Sequence, residues 1–189
     1  SRGTIRVLHD RSFADDPTRM LRAVRYAGRY GFALESHTLD LIDEEGRTVL
    51  SRLSGERLRH EFDMIFEEEH PSSMLHRLAE LDLLSPIHPS LQYANFQIPF
   101  IDILPEEFGE FTIPNIQTIK QTLGWILWLV PLSAFDIEAI SKRLDFPTHL
   151  TRSAAGGSRL LADLPSLVHW KPSQWTFYLE ELPSISVYA

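Results

Sequence analysis

The sequence predicts an all-α protein, and three observations carry that prediction. Apolar residues recur every three to four positions, as in Leu58, Phe62, Ile65 and Phe66, or in Met74, Leu75, Leu78 and Leu81. The segments that carry them are bounded by helix punctuation, with Asp or Ser at starts and Gly or Pro at stops. Only residues 3–8 alternate polar and apolar as a strand does, and the sequence offers them no evident ladder partner.

The elements follow in chain order. Residues 3–8 read as one short strand. Asp16 is placed to cap a helix whose first residue is Pro17 and which runs to about Tyr30 and stops at Gly31. At 100° per residue, Met20, Leu21, Val24, Ala27 and Gly28 form one face of it and Arg19, Arg22, Arg25 and Arg29 another. Gly28 marks a close approach to another helix. A short helix is expected over 38–45, ended by Gly46. Ser54 caps the next helix, which ends at the acidic run 67–69 before Pro71, and Ser72 or Ser73 caps another. Residues 85–114 carry five prolines and read as an irregular connection, with a short helix around 100–104. Further helices are expected over 115–130, 134–144, 151–163 and 173–182.

Composition narrows the function classes. The chain has 189 residues, 43% of them apolar, enough for a packed core in one domain or two small ones. It has no cysteine, which excludes disulfides and thiolate chemistry and suits a reducing cytoplasmic compartment. Its longest apolar run, 123–135, is broken by Pro131 and is too short for a bilayer, so no membrane role is expected. A net charge of −8 argues against nucleic-acid binding by the chain as a whole. Residues 1–30, however, hold seven arginines against three aspartates. A basic arm on an acidic body is the asymmetry expected of a local polyanion site.

Most candidate sites fail on spacing. His9-Asp10 has the composition of a phosphohydrolase metal doublet but ends a strand and lacks further ligands; the remaining histidines show no ligand spacing. The stretch Ala154-Ala155-Gly156-Gly157-Ser158 lacks the lysine and preceding strand of a phosphate loop and reads as a helix-terminating turn. No serine has a nucleophile elbow or an evident base partner. Trp125 and Trp128 read as core. No catalytic or metal-binding residue is therefore assigned.

Two constellations remain. Asp15, Asp16 and Arg19 place two carboxylates and a guanidinium within one turn of a helix start, more than a cap requires. Such a pair can hydrogen-bond one edge of a nucleobase. The second constellation is Glu56-Arg57 with Glu61, where Arg57 and Glu61 stand at i, i+4 and can pair along the helix.

Taken together, these residues resemble a known family. Gly3-Thr-Ile-Arg-Val-Leu-His-Asp-Arg-Ser-Phe-Ala-Asp-Asp-Pro-Thr-Arg-Met-Leu-Arg-Ala-Val-Arg-Tyr-Ala-Gly-Arg-Tyr-Gly-Phe32 closely resembles the neck of class II tRNA nucleotidyltransferases and bacterial poly(A) polymerases. Glu56-Arg57-Leu-Arg-His-Glu61 is similar to that family's Glu-Arg-x-x-x-Glu motif. The likeness is specific over residues 3–66 and general in the helical remainder.

The resemblance implies that Asp16 and Arg19 face the incoming base, that Asp15 orients Arg19, and that Glu56, Arg57 and Glu61 buttress the template helix. A carboxylate accepting from an exocyclic amino group beside a guanidinium donating to a ring nitrogen fits adenine or cytosine. Guanine and uracil present the opposite pattern. Most members have glutamate where Asp15 stands, one methylene longer. The resemblance further implies ATP or CTP as substrate and a tRNA or other RNA 3′ end as partner, with Arg22, Arg25 and Arg29 meeting RNA or nucleotide phosphates. Two Mg²⁺ ions would be bound by a catalytic head that precedes these residues.

The expected organisation is therefore a remnant strand of that head over 1–9, a neck over 10–84 for nucleotide recognition and RNA binding, and a helical body and tail over 85–189. The expected function is the nucleotide-selecting part of an enzyme adding A or CCA to RNA 3′ ends, inactive without its head. The alternatives are a poly(A) polymerase or a non-catalytic helical RNA-binding module.

Overall fold

The computed structural model describes residues 3–91, 98–103 and 116–189. Among these are eleven α-helices and two strands of two residues each, the all-α class that the helical periodicity predicts. The chain divides into two compact units, Ser1–Ala94 and Asn95–Ala189. No helix among the described residues is long and apolar enough to cross a membrane.

In the first unit, β1 (Thr4–Ile5) is followed by α1 (Ser12–Asp15), α2 (Thr18–Tyr30) and β2 (Ala33–Leu34). β1 pairs with β2 in parallel, Thr4 opposite Ala33 and Ile5 opposite Leu34. The expectation that the strand lacks a partner within the chain is thus corrected. The partner is two residues long and follows a helix directly, so it carries no alternation to read.

Gly31, with φ of 62°, turns the chain from α2 into β2. Its N–H bonds to the Gly28 carbonyl and that of Phe32 to Ala27, a left-handed cap that only glycine adopts without strain. At the other end, Pro17 holds the cap position and the helix begins at Thr18, one residue later than predicted.

The predicted helix over 38–45 is two: α3 (Ser36–Asp40) and α4 (Glu44–Ser51). Gly46 lies inside α4 rather than ending a helix. The Asp43 carboxylate caps α4 by accepting from the Gly46 N–H at 2.9 Å, and Gly46 is buried beside Met20. Next come α5 (Gly55–Phe66) and α6 (Pro71–Glu80). Ser54 stands at the cap position of α5, while His70, not Ser72 or Ser73, precedes α6, and Ser73 bonds back to the His70 carbonyl at 2.8 Å. α2 packs on α5 and α6, with Met20, Leu21, Val24, Phe62, Ile65 and Leu75 fully buried. A Cβ on Gly28 would lie 2.7 Å from the Met74 side chain, the close approach that its place in the sequence suggested.

In the second unit a 3₁₀ turn at Ile98–Ile103 stands where the short helix over 100–104 was expected; Leu104 lies outside the described residues. Then follow α7 (Ile116–Leu129), α8 (Ala134–Arg143), α9 (Thr148–Leu167), α10 (Pro172–Glu180) and α11 (Ser184–Tyr188). Trp125 and Trp128 are wholly buried, as the sequence suggested. α9 starts earlier and runs later than predicted, and stops two residues beyond Pro165, which has no N–H to continue the ladder. Gly156 and Gly157 do not end it. They lie buried in its middle, where α9 meets α7 and α11; a Cβ on Gly157 would sit 2.9 Å from Ile126, and one on Gly156 3.0 Å from Pro183.

Candidate nucleotide-recognition site

The site lies in the first unit, where the chain leaves α1 and enters α2. Asp16 is extended, with φ of −147° and ψ of 96°, and Pro17 behind it pre-sets the helical turn. The Asp16 carboxylate folds over that turn. Its Oδ1 accepts from the Thr18 N–H at 3.2 Å and the Thr18 hydroxyl at 2.7 Å, an Asx-type closure of the helix start. Arg57 of α5 donates to the same oxygen at 2.9 Å. Oδ2 points instead toward Arg22 at 3.8 Å and Arg19 at 3.9 Å, beyond hydrogen-bond length from either. Burial pushes the Asp16 carboxyl up, but the Thr18 hydrogen bonds and the charges of Arg57 and Arg22 outweigh it and hold the group below its ordinary value. Asp16 is ionised at neutral pH and accepts only.

Arg19 is held from the opposite side. Its Nη1 donates to the Ser12 carbonyl at 3.2 Å and the Ser12 hydroxyl at 3.0 Å, and the side chain remains half-exposed. A carboxylate and a guanidinium are therefore brought together at one helix start, each fixed by a different partner. Asp15 does not join them. Its oxygens lie 3.9 Å from Arg11 and from His9. The group that fixes Arg19 is Ser12, which the sequence reading missed. Thr18 was also missed, although an Asp two residues before a Thr at a helix start is the signal for such a closure.

The Glu56-Arg57-x-x-x-Glu61 motif meets α2 through long-range partners. Arg57 and Glu61 do not pair with each other as their spacing suggests; Arg57 takes Asp16, and Glu61 accepts from Arg22 Nε at 2.6 Å. Glu56 is exposed in the first turn of α5. The hydrogen bond from Arg22 to Glu61 and the two nearby carboxylates raise the Arg22 pKa.

The row of arginines is not uniformly exposed. The Arg25 side chain is buried at 6% exposure, bonded to Glu68 at 3.2 Å and 3.9 Å from Glu61. Arg29 makes a two-pronged contact with Glu68 at 2.7 Å and stays partly exposed. The buried Glu61 of α5 and Glu68 just beyond its end thus clamp α2 against this helix.

The chain is similar to several known proteins. Residues 31–95 match a family model described as the probable RNA and SrmB-binding site of polymerase A. An A-adding tRNA nucleotidyltransferase of Geobacter sulfurreducens is 34% identical over 132 residues, 69% of this chain and 15% of that protein. One of Halalkalibacterium halodurans is 32% identical over 146 residues, 75% of this chain and 34% of that protein. A solved structure of a CCA-adding enzyme with ATP superposes with a TM-score of 0.71 at 26% identity, covering 98% of this chain and 46% of that one. The chain spans about a seventh and a third of the two curated relatives' lengths. Its helical fold and its likeness to these relatives are those of one part of a tRNA nucleotidyltransferase. The chain belongs to the class II tRNA nucleotidyltransferase family.

Proposed function

We propose that this chain selects the incoming nucleotide and binds RNA for an enzyme that adds A, or CCA, to the 3′ end of tRNA or other RNA. The observation that carries the reading is the pairing of Asp16 Oδ2 with Arg19 at 3.9 Å, both oriented by other groups and both reachable from solvent. Asp16, kept ionised, would accept from the amino group of adenine or cytosine, and Arg19 would donate to the adjacent ring nitrogen. Guanine would set its own N1–H against Arg19 and its carbonyl against Asp16, leaving two charged groups without partners at a cost of several kcal/mol. ATP is the favoured substrate because the two curated relatives are A-adding enzymes, and CTP fits the same pair.

Arg22 and Arg29, partly exposed, are the groups we assign to phosphates, while Arg25 serves to anchor α2. Glu61 and Arg57 support the template, and Glu56 and Asp15 border it. The family's two Mg²⁺ ions do not fit the residues described: no group of three or more metal-ligating side chains comes together among them. The metal-assisted attack of the RNA 3′ hydroxyl belongs to a catalytic head, and the 189-residue chain by itself should extend no RNA.

A second reading, a poly(A) polymerase, is supported by the similarity of residues 31–95 to the probable RNA and SrmB-binding site of polymerase A. One experiment addresses both. The intact enzyme is given a tRNA ending in CC or lacking its 3′ end, with each nucleoside triphosphate singly and in combination. The proposal expects A, with or without prior C addition, and no G or U; a long homopolymer selects the second reading. Efficient G incorporation, or none of any nucleotide, overturns the proposal.

A further inference from the structure

α2 carries a second feature on the same side as the template. Arg19, Arg22, Tyr26 and Tyr30 recur at i, i+3, i+7 and i+11, one stripe of a 3.6-residue helix. The stripe begins at Asp16 and Arg19 and ends in aromatic rings. Tyr26 and Tyr30 stack with centroids 6.3 Å apart at 29°, and Phe32, just past the Gly31 turn, lies 5.6 Å from Tyr30. All three face solvent, Tyr30 most at 57% exposed.

The rings are held in place from beneath. The Arg25 guanidinium lies 4.7 Å from the centre of the Tyr26 ring and is itself fixed by buried Glu68. Phe32 lies against the backbone of Gly3; a Cβ there would meet the ring at 2.5 Å, so the β1–β2 pairing sets its position. A set of exposed aromatics on rigid supports, continuous with a basic helix start, is the arrangement that stacks unpaired bases.

We propose that Tyr26, Tyr30 and Phe32 form a stacking platform for the unpaired bases of the RNA strand whose 3′ end reaches Asp16 and Arg19. The proposal rests on the nucleotide-selecting role of those two residues and adds the path of the RNA. From Arg19 to Tyr30 the helix rises about 16 Å, room for four or five nucleotides at roughly 3.4 Å each. The occupant is a single strand rather than a duplex because only an unpaired base offers its ring face. Arg22 and Arg29 already pair with Glu61 and Glu68, so stacking carries more of the contact than phosphate neutralisation does.

The test uses the full chain and a twelve-nucleotide oligo(A) bearing one 2-aminopurine, whose fluorescence is quenched on stacking. Tyr30→Phe keeps the ring and Tyr30→Leu keeps the apolar bulk without it; circular dichroism confirms that both fold. Wild type and Tyr30→Phe should quench and bind within twofold of each other. Tyr30→Leu should lose the quench and bind at least fivefold more weakly, with affinity for duplex RNA unchanged. Equal binding by Tyr30→Leu, an equal loss in Tyr30→Phe, or no quench in wild type would each overturn the platform. The last is also the result expected if another protein surface covers these rings. In the intact enzyme Tyr30→Leu should keep its preference for ATP over GTP, so failure of the platform and failure of the template show in different measurements.

Discussion

Arg57 Nη2 reaches from α5 to Oδ1 of Asp16 at 2.9 Å, across 41 positions of sequence. That bond, with the Thr18 pair on the same oxygen, leaves Oδ2 facing Arg19. The supporting motif and the template are therefore one hydrogen-bonded unit, and its pH behaviour follows. The Asp16 carboxyl is held below its ordinary value of 3.8. A depressed carboxylate contributes stability that is complete above the unfolded value and is lost as pH falls through the folded one. Thermal melting of the chain should show this contribution in full at neutral pH and declining below about pH 4. Arg57→Ala should shrink the decline and end it at higher pH, because it raises the folded value toward the unfolded one that fixes the onset, and Asp16→Asn should remove it. An unchanged melting profile in both variants would exclude the unit.

The clamp between α2 and α5 should respond asymmetrically. Glu61→Ala leaves buried Arg25 and half-exposed Arg22 short of a counter-charge and should cost about 3–5 kcal/mol. Arg25→Met should cost much less, about 1–2 kcal/mol, because Glu61 keeps Arg22 and Glu68 keeps Arg29. It also removes Arg25 Nε, a buried donor without a hydrogen-bond partner among the described residues. Denaturant unfolding measures both. Equal losses would show that the clamp is not centred on Glu61.

Ser12 fixes Arg19 through both its hydroxyl and its carbonyl. Ser12→Ala removes only the first, so it should weaken discrimination of ATP against GTP by a few-fold, short of the loss on deleting Arg19. Ser12→Thr should restore it. The incorporation ratio of the two nucleotides reads the effect, and a ratio equal to wild type in Ser12→Ala would show that the carbonyl alone suffices.

In the second unit, Gly157→Ala adds a methyl 2.9 Å from the Ile126 side chain, inside a buried contact of α9 with α7. Overpacking there should cost about 1–3 kcal/mol, outweighing the roughly 1 kcal/mol that alanine gains in a helix interior. A melting temperature raised by the substitution would mean that the helices part freely at this point.

The contrast between what the sequence revealed and what it hid has a physical basis. The ends of α2 were legible because Pro17 and Gly31 act on their own backbone. Gly156 and Gly157 were misread as a turn because their use is tertiary: they let α7 and α11 approach. β2 was invisible because two residues carry no period. Asp16 and Arg19 stood out by charge and spacing at a helix start, and the family likeness supplied their role. Their partners did not stand out. Ser12 is seven positions from Arg19, and Arg57 pairs with Asp16 rather than with its helical neighbour Glu61, so local pairing rules picked out residues that do pair but not the bonds they make.

The central claim is that Asp16 and Arg19 read the base, and the most direct measurement is the ratio of ATP to GTP incorporation by the intact enzyme carrying Arg19→Ala or Asp16→Asn. Arg19 is half-exposed, so its loss should leave the fold intact, and Asp16→Asn keeps an acceptor for Thr18. Each variant should lower the ratio by roughly ten- to 150-fold, the effect of a lost hydrogen bond to a charged group, with the melting temperature nearly unchanged in Arg19→Ala and lowered in Asp16→Asn only by the carboxylate's own contribution at neutral pH. Ratios equal to wild type in both variants would contradict the account and leave the two residues as helix-start structure alone.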